Sequence, residues 1–255
     1  MNKVNITYFL DLLRKSTCNY SIDNVKMVFG KDYYKVGMRG NGCIILLNGE
    51  NDIISNIKNN DEWELMFSNV SKNVKTYFDL IIPDENGEAD IIPKEEKIIL
   101  KSGNQRSNLF FCADVAVDTF DGNGPKQSGD EVYQTQLDQG FIDTYALIKK
   151  VSASFGKIYF SVKDGVFNIE ATDKTNPYNN GMKIALGDVS DCDDIDICFE
   201  FKTFNNIMTL INGDFEDFTF RLGYVPKNNG GMISLVKSDN SERYYIISIR
   251  ENIVQ

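Results

Sequence analysis

The stretch from Phe141 to Asp173 occurs twice in outline along this chain, and no other feature limits the possible folds as tightly. FIDTYALIKKVSASFGKIYFSVKDGVFNIEATD reads as a helix, a break at Gly156, a strand, a Lys163-Asp164-Gly165 turn and a second strand. At about 100° per residue, Phe141, Tyr145, Leu147, Ile148, Val151 and Phe155 share one helix face, with Lys149 and Lys150 opposite. Ile158, Phe160 and Val162 then alternate with more polar neighbours, and Val166, Phe167 and Ile169 follow an Asp-Gly pair suited to a type I′ hairpin. Near the N-terminus, Phe9-Leu10-Asp11 echoes Phe141-Ile142-Asp143, and Leu12-Leu13-Arg14-Lys15 echoes Leu147-Ile148-Lys149-Lys150. Asn24 to Val36 (NVKMVFGKDYYKV) lies without gaps on Lys157 to Ile169 (KIYFSVKDGVFNI). A period of roughly 130 residues exceeds the roughly 20–50 of solenoid units, and 255 residues accommodate two domains of ordinary size. Two similar α+β domains in tandem follow, at 1–114 and 140–255, with a connector over 115–139.

Taken in order, the periodicity predicts a first helix over 4–17 with Ile6, Phe9, Leu10, Leu13 and Thr17 inward, and strands near 25–29, 33–38 and 42–47. The last of these has its counterpart in Gly181 to Leu186. A strand over 62–67 precedes a second helix over 69–81, with Val70, Val74, Tyr77, Phe78 and Ile81 inward, and strands near 90–93, 97–101 and 108–113 close the first half. After the central unit, a strand over 195–201 leads into a fourth helix over 202–212, followed by strands at 217–222, 231–237 and 243–249. Each half thus reads as two helices packed on antiparallel sheet.

From Asp114 to Gln139 turn formers dominate. The glycines there lack the Gly-x-x-x-x-Gly-Lys-Ser/Thr order of a phosphate loop, and Asp118 to Gly122 lacks calcium-loop spacing, so the segment reads as a connector. The carboxylates Asp188, Asp191, Asp193, Asp194 and Asp196 match no metal-site spacing and read as a solvated loop. Asp84-Glu85 and Glu95-Glu96 are sequence neighbours in loops, not an acid/base pair held across a cleft. The chain has no histidine, which removes Ser-His-Asp triads, Cys-His dyads and histidine-bearing zinc sites. Five cysteines, none in a CxxC pair, suit reduced thiols. No catalytic residue, metal or cofactor is expected. No run approaches the roughly 20 apolar residues of a membrane span, and the N-terminus lacks a secretory pattern, so a cytoplasmic location is expected.

The charge pattern is more informative. The formal net charge is −10, from 37 acidic and 27 basic residues, which argues against coating nucleic acid with the whole surface. The outward sides of the four helices reverse that sign. They carry Arg14, Lys15, Lys72, Lys75, Lys149, Lys150 and Lys202, against only Asp11, Asp79 and Asp143. Asn205 and Asn206 lie on the outward side of the fourth.

This arrangement resembles the DNA polymerase sliding clamps, specifically the two-domain type of T4-like phages and, more distantly, the eukaryotic and archaeal clamps. The resemblance rests on the basic-paired helix, Gly156-Lys157-Ile158, the Val162-Lys163-Asp164-Gly165 turn, Leu186-Gly187-Asp188 and the closing strands Met232 to Ile249. It implies a processivity factor: a homotrimeric ring of six domains encircling double-stranded DNA without sequence preference, acting with a DNA polymerase and a clamp loader. Arg14, Lys15, Lys72, Lys75, Lys149, Lys150, Lys202, Asn205 and Asn206 would face DNA. A partner-peptide pocket would involve Val115, Val117 and Phe120 of the connector with Tyr224, Val225, Pro226, Ile247 and Ile249. The competing readings are a non-ring monomeric processivity factor and a structural or virion component built from duplicated α+β domains.

Overall fold

The computed structural model describes residues 2–59, 61–113, 117–120, 124–125, 130–174, 180–190, 192–228 and 230–250, and the chain divides into two units, Met1–Gly124 and Pro125–Gln255. The first unit runs β1 (Lys3–Asn5), α1 (Ile6–Ser16), β2 (Val25–Phe29), β3 (Tyr34–Gly40), β4 (Cys43–Gly49), β5 (Ile54–Ser55), β6 (Trp63–Phe67), α2 (Val74–Leu80), β7 (Glu88–Pro93), β8 (Lys97–Ser102) and β9 (Gln105–Phe110). The second runs β10 (Asp130–Gln136), α3 (Gln139–Phe155), β11 (Lys157–Lys163), β12 (Val166–Ala171), β13 (Met182–Asp188), β14 (Ile195–Glu200), α4 (Phe201–Ile211), β15 (Phe218–Val225), β16 (Gly230–Lys237) and β17 (Glu242–Ile247). Within the first unit the strands pair as β4-β3-β2-β6 and β5-β1-β7-β8-β9; within the second, as β10-β15-β16-β17 and β13-β12-β11-β14. The fold is α+β with antiparallel sheets and two helices per unit, as the patterning predicts.

The duplication reaches down to strand register. In the first unit Met27 pairs with Val36, Val28 with Lys35 and Phe29 with Tyr34. The ungapped echo carries these onto Phe160 with Ile169, Ser161 with Asn168 and Val162 with Phe167, which are the pairs formed in the second. A slip of one residue would turn Phe160 and Phe167 out of the core, so the apolar alternation holds the register in place. Asp164 and Gly165 both take positive φ, 52° and 73°, as a type I′ turn requires.

Each core is built on aromatic side chains. Phe9 of α1 stacks on Phe78 of α2 with centroids 4.2 Å apart, which sets those helices side by side. In the second unit Phe160 is fully buried against Phe167, Phe199, Phe204 and Phe220. The helix ends follow local chemistry. Asn5 and Asp138 cap α1 and α3 by accepting from the backbone N–H of Tyr8 and Phe141, and Gly156 ends α3 in the left-handed conformation at φ 69°.

Several boundaries differ from the sequence reading. The segment before α1 is a strand, because Lys3 to Asn5 pairs with both β5 and β7. The second helix is short: residues 71–73 are turn, and Tyr77 lies exposed while Val74 and Phe78 are buried. On α1, Leu12 and Ser16 are buried and Leu10 only partly so; on α3, Leu147 is exposed. The connector expected over 115–139 is also shorter, since Asp130–Gln136 forms strand β10 on β15. Its apolar content is too low to announce a strand, and the ladder on β15 makes it one. Residues 117–120 seat on β3, where Phe120 N–H donates to Gly37 O at 3.0 Å and Arg39 N–H donates to Asp118 O at 2.9 Å. Gly37 permits that approach, because a Cβ there would lie 2.2 Å from the Phe120 carbonyl oxygen.

Candidate nucleic-acid interface

In the first unit, Arg14 of α1 and Lys75 of α2 both act on Tyr20. Arg14 and Lys15 sit in the last turn of α1, where positive charge suits the helix dipole, and both contact Asp11: Arg14 Nη2 at 2.9 Å from Oδ1 and Lys15 Nζ at 3.3 Å from Oδ2. Lys75 pairs with Asp79 one turn along α2, and its Nζ stands 5.9 Å from the centre of the Tyr20 ring. The Asp79 carboxylate raises the pKa of the Lys75 ammonium. Burial raises that of the Tyr20 hydroxyl, and the charges of Lys75, Asp79, Arg14 and Asp11 all reach it. Lys72 is exposed in the turn before α2.

In the second unit, Tyr145 of α3 is buried and edge-on to Phe204 of α4. Its hydroxyl donates to Asn205 Oδ1 at 2.9 Å, and burial pushes its pKa up. This contact locks α3 to α4 and leaves Lys149, Lys150 and Lys202 exposed. Among the described residues these three form no ion pair. Asp143 instead accepts from the Gln139 side-chain amide at 2.7 Å. The structure therefore separates the expected DNA-facing residues. Lys72, Lys149, Lys150 and Lys202 are open and unpaired among the described residues, whereas Arg14, Lys15 and Lys75 are engaged. Asn205 turns toward α3, and Asn206 is half-buried.

Sequence reasoning missed Tyr20. It is presented by three consecutive left-handed residues, Cys18, Asn19 and Tyr20, with φ of 49°, 55° and 62°. Asparagine tolerates that region, but cysteine and tyrosine give no such signal.

Of the expected partner-pocket residues, Val115 lies outside the described residues, and Val117 and Phe120 belong to the first unit. In the second unit, register brings Tyr224, Val225 and Ile247 to one end of a sheet, while Ile249 N–H donates to Cys198 O of β14 at 2.9 Å. Tyr224 and Val225 oppose Gly231 and Gly230, and Met232 opposes Ile247. Pro226, Ile247 and Ile249 are exposed.

Within the acidic stretch Asp188 and Asp193 are exposed, whereas Asp194 and Asp196 are bonded. Asp194 accepts from the Asp164 N–H at 3.0 Å, and Asp196 pairs with Lys174 at 2.5 Å. Glu170 meets Lys174 and Lys183 at 3.2 and 3.0 Å. Burial works to raise the Glu170 pKa, but the two lysines outweigh it and hold the carboxyl below its usual range. These side chains line a cavity of about 540 Å³. Asp191 lies outside the described residues. Among the described residues no group of three or more His, Cys, Asp or Glu side chains is placed to hold a metal ion, and no helix is long and apolar enough to cross a membrane.

This duplicated architecture matches solved bacterial clamps along essentially its whole length. It is similar to the Helicobacter pylori β clamp in complex with 5-chloroisatin (TM-score 0.63, 12% identity), covering 100% of this chain and 65% of that one. It is similar to the DNA polymerase III subunit β of Pseudomonas aeruginosa (TM-score 0.65, 13% identity), covering 98% of this chain and 67% of that one. It is also similar to the Helicobacter pylori β clamp bound to a DNA ligase peptide (TM-score 0.66, 12% identity), covering 100% and 68%. The fold is that of the sliding clamps. The chain spans about two thirds of the length of those it matches. No protein-family model and no curated protein sequence matches it.

Proposed function

We propose that the chain is a sliding clamp of the two-domain type found in T4-like phages, and that it works by enclosure, not catalysis. Three copies form a ring around double-stranded DNA in the cytoplasm, are loaded by a clamp loader, and tether a replicative DNA polymerase. The observation that carries this reading is the clamp fold extending over essentially the whole chain. A ring that holds DNA by topology needs contacts weak and uniform enough to move, which lysines facing phosphates supply and base-reading side chains would not. An acidic exterior discourages DNA from binding elsewhere.

Two sheet edges support closure of the ring by strand pairing between copies. In the first unit β9 is an edge strand with exposed Phe110, and Leu80 and Ile82 beside it are exposed too. Gln105, at the start of β9, holds these residues in place through bonds to Ile82 N–H at 2.8 Å and Leu80 O at 3.2 Å. In the second unit β13 is an edge strand with exposed Met182, next to α3 and its exposed Leu147. Open apolar edges invite aggregation unless they are covered. Two different edges on one chain join head to tail, the association that builds closed rings.

The end of the second-unit sheet, with Tyr224, Val225, Pro226, Ile247 and Ile249, is the proposed seat for partner peptides. One clamp of this fold has been solved with a DNA ligase peptide bound. A few apolar anchors with a polar rim suit exchangeable partners.

Light scattering at several concentrations should give the mass of three chains, and a concentration-independent monomer would overturn the ring. Lys149→Ala with Lys150→Ala should leave the melting temperature close to wild type, since exposed substitutions shift stability by within about 0.5 kcal/mol. The double variant should lower polymerase stimulation and flatten the salt dependence of DNA retention. Loss of folding in that variant would make these lysines structural and remove the role proposed for them.

A further inference from the structure

The two helix pairs carry similar numbers of cations but deploy them differently. On the first unit Arg14 and Lys15 share Asp11, and Lys75 is held between Asp79 and the Tyr20 ring. On the second, Lys149, Lys150 and Lys202 are exposed and have no ion pair among the described residues. The carboxylate on the exposed side of α3, Asp143, is engaged by a neutral amide.

The Lys75–Asp79 pair does not serve its helix. Lys75 lies in the first turn of the seven-residue α2 and Asp79 in the last. Both charges therefore oppose the helix dipole, and the lysine precedes the acid, the less favourable order for a pair one turn apart. Tyr20, on the other side of Lys75, reaches its place only through the left-handed turn at Cys18 to Tyr20. L-residues avoid that conformation, and it persists where the surrounding structure imposes it. Asn19 N–H bonds Arg14 O at 2.9 Å and Ile22 N–H bonds Thr17 O at 2.9 Å, so the turn is tied at both ends. An arrangement that works against its own helix and depends on a strained turn holds the Lys75 ammonium in place at some cost to local stability.

We propose that Asp11 and Asp79 are built-in competitors for DNA phosphate. They hold Arg14, Lys15 and Lys75 of the first unit in reserve, while Lys72 and the lysines of the second unit supply the standing contacts. The inference rests on the clamp reading and deepens it. A lysine already paired with a carboxylate must leave that partner to meet a phosphate, and the freed carboxylate takes up a cation in place of the one the DNA releases, so the exchange adds little to affinity or to salt dependence. Each open lysine that meets a phosphate contributes about 0.9 to the slope of log affinity against log salt. Arg14, Lys15 and Lys75 then touch DNA through contacts that a carboxylate continually takes back, which suits a surface that must move along the duplex.

Anisotropy of a short fluorescent duplex between about 50 and 200 mM salt tests the proposal. Lys75→Ala should change the slope by less than about 0.3 in the wild-type protein but by about 0.9 in an Asp79→Asn background. Asp11→Asn, an independent variant on the other helix, should steepen the slope by up to about 0.9 by freeing Arg14, while Lys149→Ala with Lys150→Ala flattens it by up to about 1.8. An equal effect of Lys75→Ala in both backgrounds, or no change from Asp11→Asn, overturns the masking. Wild-type protein that neither binds the duplex in a salt-dependent way nor has the mass of three chains in solution would instead overturn the clamp reading. Melting curves of each variant separate these outcomes from loss of fold.

Discussion

Phe160→Ala is expected to lower the stability of the second unit by about 3–5 kcal/mol, the usual cost of removing a fully buried phenyl ring. The ring has no solvent exposure. Its centroid lies 5.5 Å from those of Phe204 and Phe220 and 5.9 Å from those of Phe167 and Phe199. It thus joins both sheets of the unit to α4, and through the Tyr145–Phe204 contact it supports α3 as well. Neighbouring rings are too stiff to collapse into the space, so the loss should fall at the upper part of that range. Denaturant unfolding followed by far-ultraviolet circular dichroism measures it. Phe160→Leu, which keeps most of the volume, should cost far less. A loss below about 1 kcal/mol for the alanine variant would mean that the aromatic cluster is not what seats the helices.

Ile82→Lys combined with Phe110→Lys is expected to leave the protein folded but as single chains. Both side chains are more than 60% exposed in the isolated chain, at 69% and 63%. Replacing them therefore costs the fold little. In the proposed ring they would be covered by the neighbouring copy, where each large apolar side chain contributes roughly 1.5–3 kcal/mol. The substitutions remove that contribution at every junction and bury an unpaired ammonium in its place, which costs several kcal/mol more. Sedimentation at micromolar concentration should show one species at the mass of one chain. Tyr8→Lys, at another exposed aromatic on α1, should leave the assembly intact. If both variants assemble alike, the β9 edge is not the junction.

The duplication, the α+β class and the strand register were legible in the sequence because they follow from local periodicity. The alternation around Met27 and Phe160 admits one pairing each, and Asp164-Gly165 and Gly156 have backbone preferences that set a turn and a helix end. The outward placement of Lys149, Lys150 and Lys202 was legible for the same reason, since a helix face repeats every few residues. Contacts between segments distant in sequence were not. Asp130–Gln136 is a strand only because β15 offers it a ladder, and Asn205 turns inward only because Tyr145, sixty residues earlier, presents a hydroxyl to it. Leu147 faces out although it is apolar, on the helix that borders the open edge at β13. The sequence showed which residues could carry positive charge on the helices. Which of those charges stand free depended on the tertiary structure, because the Tyr20 turn and the packing of α1 on α2 decide where Lys75 is held.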